Sequence, residues 1–505
     1  GSRPAATVFA DLAVVLKAIY LVGDLVSVAS RQARTGEVAM RINLSAARAI
    51  QSVGIALVCT VALVGWGSLA QAQNPPAPMP QVPSTIISLR AVGGVSIDAE
   101  GVISNVEKDR LGRLSAEYAR AMHAPPGDLN APSELRKVSL RRLDEALADA
   151  VKHNRPLDES MLYLAGLQQV KYVFVYPEEH DIVLAGFGEG WRVDPQGSIV
   201  GATTGKPVLL LDDLLVALRS AGEASRSGIS CSIDPTPAGL ERLQAFLDQQ
   251  GGRIGDNPKA TIAGIERSLG PQQVTVGGVP ATSHFGHVLV AADYRMKRLA
   301  MNFEPSPVRG MPSYLTMANG KGNMMPRWWL EPDYDPLLAD DQGLAWELRG
   351  SRVKAVTEDS VLGPGGQKQR TGQASPMAQR WADNFTKHYP ELEERLPIFA
   401  ELSNVMDLAI VAALISKERL PERADCSLPT LVGSDSLPAA EFEAPRQVDS
   451  KASFFKKGSN WIISASGGVL INSWEMAAKT APDGGALTPV REKASAGAST
   501  AWWWN

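Results

Sequence analysis

The sequence predicts an α+β fold, and three observations carry that prediction. Strand-like and helix-like stretches alternate between residues 88 and 300, helical spacing dominates near 375–420, and strand-like runs return near 452–475. The composition is that of a packed protein: 505 residues, 45% hydrophobic and 21% charged, enough chain for two or three compact domains. The formal charge of -4 becomes -7 without the first 72 residues, which hold six of the Lys and Arg and three of the Asp and Glu. That balance argues against nucleic acid as a partner, because a general binder needs a basic face to displace counterions.

Residues 1–39 begin without methionine and contain LAVVLKAIYLVGDLVSV, an apolar run broken by Lys17 and Asp24. They read as an upstream extension or a fragment. Residues 40–72 read as a secretory signal peptide. Met40, Arg41 and Arg48 precede an apolar core from about Val53 to Val64, and the small residues Ala70 and Ala72 suit cleavage after Ala72. The core is about a dozen residues, short of the ~20 a spanning helix needs, so a membrane is expected only if the segment is retained. Five prolines between residues 75 and 83 make 73–87 an extended linker. The expected compartment is therefore periplasmic or extracellular.

Beyond the linker, LRAVGGVSIDAEGVISN alternates apolar and polar residues around Asp98, Glu100 and Gly101, the pattern of a hairpin. HAPPGDLNAPSE reads as a loop. Leu140, Leu143, Leu147 and Val151 follow the N-cap Ser139 at helical spacing, and DESMLYLAGLQQ reads as a second helix. VKYVFVYPEEHDIVLAG predicts an antiparallel hairpin turning at Pro177 to His180. GISCSID and QVTVGGV read as strands, and AGLERLQAFLDQQGG and KATIAGIERSLG as helices stopped by glycine. In FGHVLVAADYRMKRLAMNF, Val288, Ala292, Met296 and Leu299 form one face, with Asp293, Lys297 and Arg298 largely off it. GLAWELRGSRVKAVTED is strand-like, and GPGGQKQRTGQASP reads as an exposed loop. The helices PMAQRWADNFTKHY and PELEERLPIFAELSNVMDLAIVAALISKE follow, then a softer segment near 421–450, two late strands in SNWIISASGGVLINSW, and a tail too irregular to place. These divisions give an α/β domain at 88–280, an α+β region with C-terminal helices at 281–425, a β-containing region at 426–480 and a tail at 481–505.

Several stretches invite chemistry. GATTGKPVLLLDDLL, residues 201–215, has the look of a phosphate loop, but Gly201 and Gly205 have three residues between them rather than four, and Pro207 stands where Ser or Thr must hold magnesium. Asp212 and Asp213 come too soon to lie on a separate strand and instead open a helix, so no nucleotide is expected. His284 and His287 have the i, i+3 spacing of two metal ligands, yet no third ligand is indicated and no HExxH motif is present. No cofactor or metal is expected. Cys231, with Asp234 three residues on and His287 as a possible activating base, is a weak catalytic arrangement, set against a small buried hydrophobe on an apolar strand. Cys231 and Cys426 are the cysteines left after signal cleavage, and export permits a disulfide between them without requiring one.

The most distinctive stretch is RWWLEPDYD. Arg327, Trp328 and Trp329 precede Glu331, Asp333 and Asp335, a mixture of rings and acids that can build a sugar-binding cleft or a contact surface. On an extended chain the two indoles point to opposite faces, so only one can join the core.

KVSLRRLDEAL, YLAGLQQVKYVFVYPEEHDIVLAG, GISCSIDPTPAGL, ADYRMKRLAMNFEPSPV, MPRWWLEPDYDPL and SNWIISASGGVLINSW together resemble a planctomycete family of exported proteins of unknown function, over residues about 88 to 478. The resemblance implies secretion, a single module of mixed structure and no assigned activity. It brings no functional residues with it, and residues 1–39 depart from its pattern. The reading is an exported cell-envelope protein acting as a non-catalytic binding or structural module, with a glycan or another envelope protein as partner. The alternative is a periplasmic hydrolase, cysteine-type at Cys231 or carboxylate-based near Trp328 and Glu331.

Overall fold

In a computed structural model of the chain, the described residues are 91–105, 122–123, 125–195, 197–251, 257–317, 326–358, 360–362, 368–370, 373–433, 436–454, 461–462, 465–495 and 501–504. All of them fall within one compact unit, Pro80–Asn505. The extension 1–39, the signal segment 40–72 and the linker 73–87 lie outside the described residues, as does half of the predicted loop at 363–376, of which Lys368–Arg370 form a strand instead.

The fold is α+β, and the predicted elements form for local reasons. β1 (Ala91–Val92), β2 (Val95–Ile97) and β3 (Val102–Asn105) make a meander. The Asp98 carboxylate accepts from the amides of Glu100 and Val102 at 3.1 and 2.8 Å, and Gly101 takes a φ of 80° that closes the turn. β4 (Ser133–Ser139) runs directly into α1 (Leu140–Lys152), where the Ser139 hydroxyl accepts from the Arg142 amide as N-cap and donates to Asp181. β5 (Tyr172–Tyr176) and β6 (Asp181–Gly188) are the expected hairpin, followed by a second one, β7 (Trp191–Val193) and β8 (Ile199–Gly201).

α2 (Leu211–Ser227) leads to β9 (Ile229–Pro235), α3 (Pro237–Gln249), α4 (Pro258–Leu269), β10 (Gln272–Gly277) and α5 (His284–Ala300). Next come β11 (Arg327–Tyr334), β12 (Leu337–Ala339), β13 (Ala345–Glu347) and β14 (Gly350–Thr357), with a small hairpin of β15 (Ser360–Leu362) and β16 (Lys368–Arg370). α6 (Pro376–Lys387), α7 (Tyr389–Arg395) and α8 (Pro397–Lys417) form the helical region. The chain closes through β17 (Gln447–Val448), β18 (Ser453–Phe454), β19 (Trp461–Ile462), β20 (Ser466–Ile471), β21 (Thr480–Pro482), α9 (Leu487–Ser495) and β22 (Trp503–Trp504).

A nine-stranded sheet has the order β1-β2-β3-β17-β10-β9-β20-β11-β14, and a seven-stranded sheet the order β21-β12-β13-β5-β6-β4-β22. Both are mostly antiparallel, with parallel pairs at β3/β17, β11/β20 and β12/β21. The larger sheet takes strands from 88–280, 281–425 and 426–480 alike, so these stretches are not separate domains. α8 is long and apolar enough to cross a membrane, with a mean hydropathy of 1.9, yet 94% of that window is buried inside the protein. It is the central core helix. Its fully buried Asp407 is answered by Arg352 at 2.9 Å and the Tyr334 hydroxyl at 2.5 Å.

Four expectations are corrected. The stretch 158–169 is not a helix: after one turn at Glu159–Leu162, Leu164, Ala165 and Gly166 all have positive φ. A Cβ on Gly166 would stand 1.9 Å from the Glu189 carbonyl, so the chain turns under β6 where only glycine fits. Asp293 and Lys297 are buried: the Lys297 ammonium donates to Asp293 at 2.7 Å and to the carbonyls of Ile233 and Gly467 at 3.0 and 3.2 Å, tying α5 to β9 and β20. The tail is placed after all, since Trp503 and Trp504 pair with β4 as an edge strand. Cys231 and Cys426 are both free and buried, so they form no disulfide with each other.

Candidate functional site

β11 lies between β20 and β14 and alternates cleanly, so its residues divide between the two faces of the sheet. Trp328 is 0% exposed and packs against Tyr314 and Trp381 with ring centroids 5.0 and 4.6 Å away. Trp329, half-buried, points the other way, with the Arg327 guanidinium 4.6 Å from its ring centre. Gly467 and Gly468 of β20 stand beside the two indoles, and a Cβ at Gly467 would fall 1.6 Å from the Trp328 carbonyl. Gly467 is what lets β20 approach β11, and Gly468 does the same for β9, where a Cβ would fall 1.8 Å from the Cys231 carbonyl.

On the outward face, Arg327, Trp329 and Glu331 line an open depression of about 550 Å3 with Ser230, Thr357 and Gln373 at its walls. Burial raises the Glu331 carboxyl above the usual range, partly offset by Lys354 opposite it. Asp333 shares this face and meets Lys354 at 3.8 Å, while Asp335 lies exposed beyond the strand. Of the six residues singled out in RWWLEPDYD, the structure thus brings Arg327, Trp329 and Glu331 together, sets Asp333 beside them, and sends Trp328 into the core.

The other candidate arrangement is not assembled. Cys231 is 1% exposed, and burial, reinforced by Asp293, pushes its thiol well above the ordinary range, away from the thiolate a nucleophile needs. Asp234 falls on the opposite face of β9, and the His287 ring is turned elsewhere, donating from Nε2 to the Glu443 carbonyl at 2.8 Å and packing on Phe442. Burial lowers His287 to about 4, so its ring is neutral. His284 and His287 both lie against Phe442 but take different partners, Asp213 and the Glu443 carbonyl, and among the described residues no three His, Cys, Asp or Glu side chains converge as a metal would require.

The glycine-rich loop at 201–206 does cradle an anion, and the anion is the protein's own. The amides of Thr203 and Thr204 donate to the Glu189 carboxylate at 3.2 and 2.8 Å, joined by the Thr204 hydroxyl at 2.6 Å and the Gln168 amide group at 2.9 Å. Burial opposes that charge, but these donors prevail and hold Glu189 below its usual pKa. A Cβ on Gly201 would meet the Glu189 carboxylate at 2.1 Å, which explains the glycine without any phosphate.

A second site escaped the sequence reading. The starts of α2 and α5, the β7–β8 hairpin and α8 border a partly open cavity of about 160 Å3, lined by Asp212, Asp213, His284, Ser198, Glu401 and Phe442 among others. His284 Nδ1 donates to Asp213, with both carboxylate oxygens 3.0 Å away. Burial disfavours the charged ring, yet Asp213 above all, then Glu401 and Asp212, overrides it and raises His284 to about 9. Burial raises Asp212 and Glu401 as well. The Glu401 Oε1 accepts from the Ser198 hydroxyl at 2.7 Å, and its Oε2 is buried with no hydrogen-bond partner among the described residues. Locally, His284 was visible only through its i, i+3 spacing to His287, and Asp213 as part of an acidic helix start. Nothing in the sequence joins positions 71 apart.

No curated protein and no solved structure matches the chain. The stretch from Cys231 through α5 to Tyr314 carries His284, His287 and the buried Asp293–Lys297 pair, and it is here that a family match is found: residues 231–314 match the family described as Protein of unknown function (DUF1598).

Proposed function

We propose that the protein is exported to the cell envelope, as are the planctomycete proteins its ordered segments resemble, and serves there as a non-catalytic binding module that holds a glycan. The observation that carries this reading is the division of the tryptophan pair: Trp328 completes the core, while Trp329 stays on an open sheet face beside Arg327 and Glu331. A ring with hydrogen-bonding side chains around it matches the amphipathic surface of a sugar, which presents apolar C–H faces and hydroxyl edges. Export rests on residues 40–72 and predicts Gln73 as the first residue of the exported protein. N-terminal peptide mass spectrometry checks it, and peptides from residues 41–60 in the exported protein would refute it.

The binding test compares retention of envelope polysaccharide by the wild type and by Trp329→Ala. Retention lost by at least about tenfold with folding intact supports the reading. Equal retention by both overturns it, and capture of a protein instead of a glycan replaces the ligand. Turnover of the bound glycan that disappears in Glu331→Gln would establish the hydrolase in place of the binder.

A further inference from the structure

We infer that the cavity at the starts of α2 and α5 is a binding site for a small organic cation, an ammonium group on a compact apolar body of about six to nine non-hydrogen atoms. It is independent of the sheet-face depression and shares none of its residues.

Size comes first. A volume of about 160 Å3 is close to the ~150 Å3 of an interior cavity that takes up benzene, so one ring or its equivalent fits and a sugar chain does not. Lining chemistry comes next. Leu162, Ile199, Val208 and Phe442 supply apolar walls for a hydrocarbon body. Asp212, Asp213 and Glu401 face the same space, and among the lining residues only the His284 ring can oppose them with positive charge.

That ring is already engaged by Asp213. The acceptor capacity left over sits on the other two acids. Asp212 receives the Ala440 amide at 3.2 Å through one oxygen, and Glu401 receives Ser198 through one oxygen while Oε2 has no partner among the described residues. An enclosed acceptor without a donor is costly, and a ligand ammonium offers three N–H donors together with the missing positive charge. An anion would meet three carboxylates against a single imidazolium that Asp213 already engages. A metal ion is disfavoured by geometry, since no three of these side chains converge on one point among the described residues. An organic cation spreads the same charge over a larger contour and uses the apolar walls as well.

The test uses the full chain and three probes of nearly equal shape: benzylamine, benzyl alcohol and benzoate, each followed by calorimetric titration and thermal shift. Benzylamine is expected to bind at least about tenfold tighter than benzyl alcohol, with benzoate weakest. Glu401→Gln, which keeps the shape and removes the charge, is expected to shrink that preference to less than about threefold. Should Glu401→Gln fail to fold, the ranking on the wild type decides alone. Benzyl alcohol or benzoate binding as tightly as benzylamine overturns the proposal, as does the absence of binding by all three at millimolar concentration. Trp329→Ala is expected to leave benzylamine binding unchanged, which separates this site from the glycan face.

Discussion

The sheet-face depression and the cavity at the helix starts are built on opposite principles. The depression takes Arg327, Trp329 and Glu331 from alternate positions of one strand, and the ion pair beside it on the same face, Asp333 with Lys354, is 38% and 40% exposed. The cavity gathers side chains from a hairpin and three helices, and its ion pair, Asp213 with His284, is 6% and 16% exposed. Charges in water interact weakly and can be removed almost freely, whereas charges out of water depend on each other. Substitutions in the depression should therefore report on ligand binding, and substitutions in the cavity on folding and binding together.

The sharpest test of that contrast lies between neighbours in sequence. Trp328 sits in a run of rings that continues from Trp381 to Phe385 and Phe399, at centroid distances of 5.3 and 5.5 Å. Trp328→Ala is expected to lose about 3–5 kcal/mol of stability through the void and the lost ring contacts. Trp329→Ala, on the open face, should lose less than about 1 kcal/mol. Urea unfolding of the two variants measures both. Similar losses would show that the outward face is core and would remove the basis of the binding surface.

The next largest effect belongs to the cavity. Asp213 sits in the first turn of α2, where a carboxylate suits the helix dipole, and His284 opens α5, where a cation does not. Asp213→Asn removes the partner that keeps the His284 ring charged, and should lose about 3 kcal/mol at pH 7. His284→Gln leaves a carboxylate that α2 still favours, so the loss should be clearly smaller. Equal losses from the two would mean that the pair, and not the helix ends, sets the balance.

These two regions also show what the sequence could reveal. Strand β11 was legible because its alternation is local: each residue's face follows from its neighbours. Helix α1 was legible for the same reason, through its N-cap Ser139 and the spacing of its leucines. What stayed hidden depended on distant partners. The turn at Ala165 and Gly166 is set by the Glu189 carbonyl, the burial of Lys297 by carbonyls on β9 and β20, and the tail strand by an edge that β4 leaves open. The cavity belongs to this second class throughout. Asp212 and Asp213 had an adequate local account as a helix start, His284 had only its spacing to His287, and no local rule pairs them with one another or with Glu401.

A smaller effect appears on changing pH, and the two histidines of α5 give it opposite signs. His284 is raised to about 9 in the folded protein, against about 6.5 unfolded, so its contribution is complete below about pH 6.5 and is lost as pH rises through 9. His287 is lowered to about 4, so its neutral ring supports the fold above about pH 6.5 and that support is lost as pH falls toward 4. Asp212 and Glu401, which face His284 with Asp213, have raised pKa values and also favour the fold at lower pH. Stability should thus decline between about pH 6.5 and 9 by roughly 2 kcal/mol, and His284→Gln should flatten that limb. An unchanged alkaline limb in the variant would show that His284 is not charged in the fold.

The smallest effect is the one that most directly defines the depression as a solvated surface. Lys354 stands opposite Glu331 across the β11/β14 pair and reaches diagonally to Asp333 at 3.8 Å. At that distance, with both side chains more than a third exposed, water screens the attraction and the entropy of fixing a long lysine offsets most of what remains. A double-mutant cycle on Asp333→Ala and Lys354→Ala should give a coupling below about 0.5 kcal/mol, fading further in about 0.5 M salt. A coupling above about 1 kcal/mol that persists in salt would mean that this face is desolvated in the folded protein. In that case the depression would follow the rules of the cavity, and a ligand could reach Trp329 only after displacing whatever excludes water from it.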